Sequence, residues 1–395
     1  MPSVNHEVLR WARETAGIDL EEASRKLSLR PTKELTAKQR LEALESGEAE
    51  PTRPLLEKMA KQYRRPLLVF YMSAPPVTAD RGEDYRTLPE DQSPREEALL
   101  DALIRDVRAR QSMIRSLMEE EDEAPRLSFI GASRPSASTS TLATRVKELL
   151  GFDLTTFQNA ATPEAAFVGL RELTERSGVF VLLIGDLGSH HTSLDVATFR
   201  GISLSDPVAP VIVINDHDAR SAWSFTLIHE LVHLCLGQSG VSGPWSEVGV
   251  EQLCNDVASD ILLPTADLER LALPARFELT TFVDRVGIFA RECNVSGSMV
   301  AYRLHRRNRI SERQWLEVRS QFREYWQQDV SERKQRNRES EAGPDYYVVR
   351  RHRIGSHLIR FVDRMLQAGA LTTIKAGRVL GVKASNVHSL LDVAP

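Results

Sequence analysis

Residues 225–237 read FTLIHELVHLCLG. The stretch is apolar except for Thr226, His229, Glu230 and His233. An unpaired carboxylate in such surroundings costs several kcal/mol or is forced neutral. A bound cation resolves the conflict. On a helix, side chains four residues apart share a face, so the imidazoles of His229 and His233 can chelate one ion. Glu230 is rotated about 100° from His229 and reaches beside that ion. Two metal-ligating histidines with a carboxylate next to the first form the HExxH arrangement of zinc hydrolases, in which the glutamate is the general base for a water. In that chemistry the ion lowers the water's pKa and polarises the scissile carbonyl. Chance produces the pattern in a chain this long on the order of one time in a hundred, because histidine is rare.

A catalytic zinc takes a third protein ligand and keeps one position open. EVGVEQLCNDVASDILLP (247–264) predicts the helix that supplies it. Glu247 and Glu251 lie one turn apart on it, and Asn255 follows one turn on. A glutamate ligand with a polar neighbour such as Asn255 suits a glutamate-type zincin. Glu247, near the helix start, reads more simply as a solvated acid favoured there by the helix dipole. Three side chains are candidates for stabilising an oxyanion: Tyr302, His305 and His217. The His190–His191 pair reads as a solvated loop.

The remaining elements must hold these groups. Length alone, 395 residues, predicts two or three domains. Residues 6–72 carry four or five short amphipathic helices with tight turns, a helix-turn-helix type of bundle. Proline and polar residues mark 73–96 as a linker, with DYRTLP (84–89) inside it, and a long charged helix follows over 97–122. GVFVLLIG (178–185), ATFRGISL (197–204) and APVIVIN (209–215) predict three strands of a small sheet. Helices are expected again over 246–263, 265–272, 279–292, 296–307 and 312–327, a charged linker over 329–345, and three short helices over 346–392. The expected class is α+β, mainly α: a helical bundle at 1–72, a linker and long helix at 73–125, a zincin-like core with a small sheet at 126–310, and a C-terminal helical domain at 311–395.

Composition excludes several classes. The net charge is −4, which argues against a whole-chain nucleic-acid coat or a basic membrane binder. Cys235, Cys254 and Cys293, an odd and sparse set, fit a reducing cytoplasm rather than a disulfide framework. No apolar leader and no run of about eighteen apolar residues is present, so neither a signal peptide nor a membrane span is expected.

FRGISLSDPVAPVIVIN, FTLIHELVHL and EQLCNDVASDILLP together resemble the ImmA/IrrE family of bacterial metallopeptidases. The family pattern runs from an Arg-Gly pair through an apolar strand ending in Asn to the HExxH helix and a following glutamate helix. The resemblance assigns Glu251 as third zinc ligand and Asn255 as the Asn after it. Cys254 stands where alanine is usual, and Ser259–Asp260 replaces part of an apolar-acidic run. The resemblance implies a zinc-dependent endopeptidase that cuts a helix-turn-helix repressor and so releases stress-response or mobile-element genes.

AGIDLEEASRKLSL and LEALESGEAEPT resemble XRE-type helix-turn-helix domains, with Ala23 and Ser24 at the tight packing position and Glu45, Gly47 and Pro51 in register. Lys33, Lys38, Gln39 and Arg40 could face DNA, but Glu34, Glu42 and Glu45 sit among them. Thirteen Lys and Arg against eleven Asp and Glu over 1–72 leave DNA and protein contact equally open. TIKAGRVLGVKASNVHSLL (373–391) also has a helix-turn-helix look, read here as a dimerisation or lid element. The competing class for the whole chain is an XRE-type DNA-binding regulator whose metal site is structural or sensory.

Overall fold

The computed structural model describes residues 3–76, 93–243, 249–274, 276–339 and 345–392. The DYRTLP loop and Glu247 lie outside them. The protein is mainly helical with one small sheet, an α+β architecture. It divides into two compact units. One contains the N-terminal helices with Leu88–Asp106 and Asp186–Leu194; the other contains Val107–Gly185 and Asp195–Pro395.

In the first unit α1 (His6–Glu14), α2 (Leu20–Lys26), α3 (Ala37–Ser46) and α4 (Arg53–Gln62) are followed by a 3-10 turn at Leu67–Tyr71. Caps set the helix starts. Asn5 and Asp19 accept backbone N–H groups at α1 and α2, and Thr36 and Gln39 form a reciprocal capping box at α3. Ala23 and Ser24 are buried where α2 meets α3, and the Ser24 hydroxyl donates to the carbonyls of Leu20 and Ala37. Glu45 is buried because Arg13 meets it with two nitrogens, at 2.7 and 2.9 Å. Such a forked pair satisfies both carboxylate oxygens and fixes α1 against α3.

A long helix, α5 (Pro94–Glu120), leads on to α6 (Thr139–Leu150), α7 (Leu154–Gln158) and α8 (Pro163–Arg176). Ser138 caps α6, its side chain accepting the Thr141 N–H. The strands are β1 (Phe180–Leu183), β2 (Gly201–Leu204), β3 (Val211–Ile214) and β4 (Gly240–Ser242), in the order β1-β3-β2-β4. β1 pairs with β3 in parallel; β2 is antiparallel to both β3 and β4. β4 has no counterpart among the three expected strands: three residues are too few to show an alternation.

α9 (Arg220–Cys235) packs against strands β2 and β3, against α8 and against α10 (Val250–Leu262). The α9 residues from Thr226 to Cys235 are all buried. This explains the stretch's composition, since a central helix is apolar all round. α11 (Thr265–Leu268), α12 (Leu279–Glu292) and α13 (Gly297–Arg306) complete this part. α14 (Glu312–Glu339) runs through most of the segment expected as a charged linker. Its polar residues cover a solvated helix, not a loop; composition alone does not separate the two. α15 (Tyr346–Ile354), α16 (Ser356–Gln367), α17 (Thr373–Leu380) and α18 (Val387–Leu391) end the chain.

The C-terminal helices are fastened by a buried ion pair. Arg171 and Glu175 of α8 are 5% and 1% exposed and lie 3.1 Å apart. Glu175 also accepts from the Ser356 hydroxyl at 2.9 Å and the His357 N–H at 3.0 Å, while Arg171 donates to the carbonyls of Val181, His352 and Arg353. Gly355 has φ +90, and a Cβ there would lie 2.3 Å from Glu175 Oε1 and 2.4 Å from Arg171 Nη2. A glycine is required at this junction both for its backbone angle and for its missing side chain.

Candidate metal centre

The chain reaches α9 through a sharply defined entry. Asn215, fully buried, follows β3 and donates its side-chain amide to the Phe199 carbonyl at 3.0 Å. Its side-chain oxygen accepts the His217 N–H at 3.1 Å. This is why the strand ends in Asn: one side chain ties the β3–α9 turn to the start of β2.

On α9, the Nε2 atoms of His229 and His233 lie 3.1 Å apart. From α10, Glu251 brings Oε1 to 3.0 Å from His233 Nε2 and Oε2 to 3.3 Å from His229 Nε2. Ligand atoms of the three residues lie within 4.8 Å of one another, and this is the one such His/Cys/Asp/Glu group among the described residues. All three are buried, at 4%, 1% and 8% exposure. Two imidazole nitrogens and one carboxylate thus converge on a single point in an apolar core. The chemistry of that set fits a divalent ion of the zinc type.

Glu230 is fully buried beside them. Neither of its oxygens meets a partner at good hydrogen-bond geometry among the described residues. Burial pushes its carboxyl up; the charges of His229 and His233 and the nearby Ser242 hydroxyl only partly offset this. Glu251 behaves oppositely. Burial raises it, but hydrogen bonding to His229 and His233 outweighs that and holds it well below the usual carboxylate range. Two carboxylates in one site are thus pushed apart, one raised by burial and one held as an anion.

Two further residues complete the site: Gly201, the glycine of the Arg-Gly pair, and Ser242, which no sequence pattern marks. A Cβ on Gly201 would lie 2.2 Å from Glu230 Oε1 and 2.8 Å from its Cγ. The glycine of the Arg-Gly pair therefore makes the space that Glu230 occupies. Ser242 of β4, paired directly with Gly201, places its Oγ 3.0 Å from His229 Nε2. Chemistry-bearing residues four apart on one helix are legible; a serine brought in by strand pairing is not.

The other candidates lie as follows. Asn255 is half-buried on α10, one turn beyond Glu251. Tyr302 on α13 donates its hydroxyl to Asp256 at 2.7 Å, which uses its only proton. Arg306 meets the same carboxylate at 2.7 Å, and Arg303 meets Asp260 at 2.7 Å, so α13 is clamped along α10. His305 stacks on Trp315, ring centroids 4.9 Å apart. His217 lies in the β3–α9 turn, 3.9 Å from Asp216. Neither His217 nor His305 joins the His229/His233/Glu251 group. Cys235, Cys254 and Cys293 are buried free thiols. No described helix is long and apolar enough to cross a membrane.

Residues 175–305 match the family model described as the IrrE N-terminal-like domain, Peptidase_M78. That range begins at the end of α8 and ends in α13, and so takes in the whole sheet, α9 and α10. No curated protein and no solved structure matches the chain. Over residues 175–305, the part that holds the metal centre, the chain is similar to the IrrE N-terminal-like domain.

Proposed function

We propose that the protein is a zinc-dependent endopeptidase whose substrate is a helix-turn-helix transcriptional repressor, cleaved to release stress-response or mobile-element genes. The observation that carries the reading is the unpartnered, buried Glu230 carboxylate beside the His229/His233/Glu251 donor set. A structural or sensory metal site has no use for a second, uncoordinated carboxylate in the core, where it only costs stability.

In this reading His229, His233 and Glu251 hold the ion. Zinc there supplies Lewis acidity toward the scissile carbonyl and makes a water acidic enough to attack at neutral pH. Glu230 takes the proton of the attacking water and returns it to the leaving amine, a task its raised pKa suits. Gly201 leaves the room for that carboxylate, and Glu251, held as an anion, balances the ion's charge.

The substrate class rests on the family resemblance. The N-terminal bundle supports protein contact over groove reading. Gln39 is spent on the α3 capping box, Arg40 donates to the Arg30 carbonyl at 2.7 Å, and Lys38 lies 3.9 Å from Glu42. These are three of the four side chains that would otherwise reach DNA; the fourth, Lys33, is exposed.

Zinc-loaded wild type and Glu230→Gln are incubated with purified helix-turn-helix repressors, and new N-termini are mapped by chemical labelling. The reading expects one dominant cut with wild type and none with Glu230→Gln, at equal zinc content. Cleavage retained by Glu230→Gln sinks the mechanism.

A further inference from the structure

The chain is acidic overall, yet residues 346–392 hold eight Lys and Arg against two Asp. Four of the eight are used inside the fold. Arg350 donates to the Gly381 carbonyl at 2.6 Å, Arg351 to the Leu390 carbonyl at 2.9 Å, Arg353 pairs with Asp216 and Arg364 with Glu123. Arg360, Lys375, Arg378 and Lys383 face solvent.

The last two helices, α17 and the five-residue α18, are joined by residues 381–386, which include a 3-10 turn at Ala384–Asn386. α17 ends at Gly381, which has φ +67, and a short turn leads into α18. Gly377 is the close approach: a Cβ there would lie 2.8 Å from the Val382 carbonyl oxygen and 3.1 Å from the Ala384 nitrogen. Ala376, Val379, Leu380, Val387 and Leu390 are buried between α17, α18 and their neighbours α15 and α16. A small residue against the turn, a glycine at the end of α17 and buried apolar residues on both helices resemble a helix-turn-helix pair. What the pair leaves outside is polar. From the turn into α18, Lys383, Ser385, His388 and Ser389 are exposed and Asn386 is half-exposed. On α17, Lys375 and Arg378 lie one turn apart on the exposed face.

We infer that residues 346–392 form a duplex-DNA-binding surface, with the exposed face that begins at Lys383 entering the major groove and Lys375, Arg378 and Lys383 on the phosphates. In a helix-turn-helix the second helix presents its first residues to base edges while the first crosses the backbone. Serine and asparagine are base-reading side chains, and asparagine pairs with adenine. Charge complementarity selects the occupant: no acidic side chain is exposed from Thr372 to Leu391. The surface shares no residue with the His229/His233/Glu251 group, so it gives the peptidase an anchor on DNA.

The test uses the full chain and a fluorescent mixed-sequence DNA duplex of about 30 base pairs, read by anisotropy as salt is raised. Wild type should bind at low salt, and the triple variant Lys375→Glu/Arg378→Glu/Lys383→Glu should bind at least about tenfold more weakly. Loss of three phosphate contacts should flatten the plot of log K against log salt by about 2.7. Lys33→Glu/Lys38→Glu/Arg40→Glu, on the N-terminal bundle, should leave both unchanged. Ser385→Ala/Asn386→Ala/His388→Ala should keep the salt slope but lose preference among sequences selected from a random pool. All these positions are at the surface, and circular dichroism checks that each variant is folded. No binding by wild type at low salt, an unchanged slope in the C-terminal triple variant, or loss of binding in the N-terminal variant alone overturns the assignment.

Discussion

Gly201 and Glu230 occupy each other's space: the carboxylate of one sits where the other's side chain would begin, with Cβ to Oε1 at 2.2 Å. The relationship links a strand residue to a helix residue and explains why a glycine starts β2. Gly201→Ala should push the Glu230 carboxylate aside without touching a metal ligand. A displacement of about 1 Å in a catalytic group costs up to about 100-fold in rate. The expected outcome is a kcat lowered roughly 10- to 100-fold with metal content unchanged by elemental analysis. Full activity in Gly201→Ala would show that the base tolerates another position.

Glu251 should be indispensable for metal and Glu230 dispensable. Wild type and Glu230→Gln should each retain about one zinc per chain after gel filtration, and Glu251→Ala should lose it. Removal of the ion with a chelator should also lower Tm, because a ligand bound only by the native state stabilises it in proportion to its affinity. A wild type whose Tm ignores both chelator and added zinc would contradict the site.

The Arg171–Glu175 pair should matter for stability out of proportion to its size. Arg171→Ala strands the Glu175 carboxylate at 1% exposure and removes donors from the Val181, His352 and Arg353 carbonyls. Breaking such a buried pair from one side costs about 3–5 kcal/mol. Replacing both partners by leucine should cost less, because no charge is then left unpaired. Equilibrium denaturation of the two variants measures the difference; equal losses would mean that the pair's charge is not what holds the C-terminal helices.

Stability should fall between about pH 6.5 and pH 4 in part through one histidine. Burial against Phe180, with Arg360 and Arg364 nearby, pushes the His357 imidazole down to about 4. Between the two values the unfolded chain binds the proton and the folded chain does not, so stability rises with pH across that window. The contribution is fully present above about pH 6.5 and is worth at most about 3 kcal/mol, since one pKa unit is about 1.4 kcal/mol. His357→Phe should flatten the pH dependence of Tm in that window. An unchanged slope would place the acid sensitivity elsewhere.

The metal-binding face was readable in one dimension because its spacing is local. His229 and His233 are one helical turn apart, and a helix puts such residues side by side whatever surrounds it. The burial of α9 was readable too, from its unbroken apolar character. The helical bulk and the small sheet followed from periodicity. The length of α14 did not, because a solvated helix and a charged linker share a composition.

Tertiary structure decided what long-range pairing brings together. Glu251 is 18 residues beyond His233, and only the packing of α10 on α9 carries its oxygens to 3.0 and 3.3 Å from the imidazoles. Ser242 and Gly201 enter through the register of two short strands, a register that no local pattern specifies. The grip of Arg171 and Glu175 on Gly355 spans about 180 residues of chain. Local spacing is dictated by backbone geometry and can be read from residue order. Contacts across such separations depend on how complete elements bury their apolar faces, and they exist only once the core has formed.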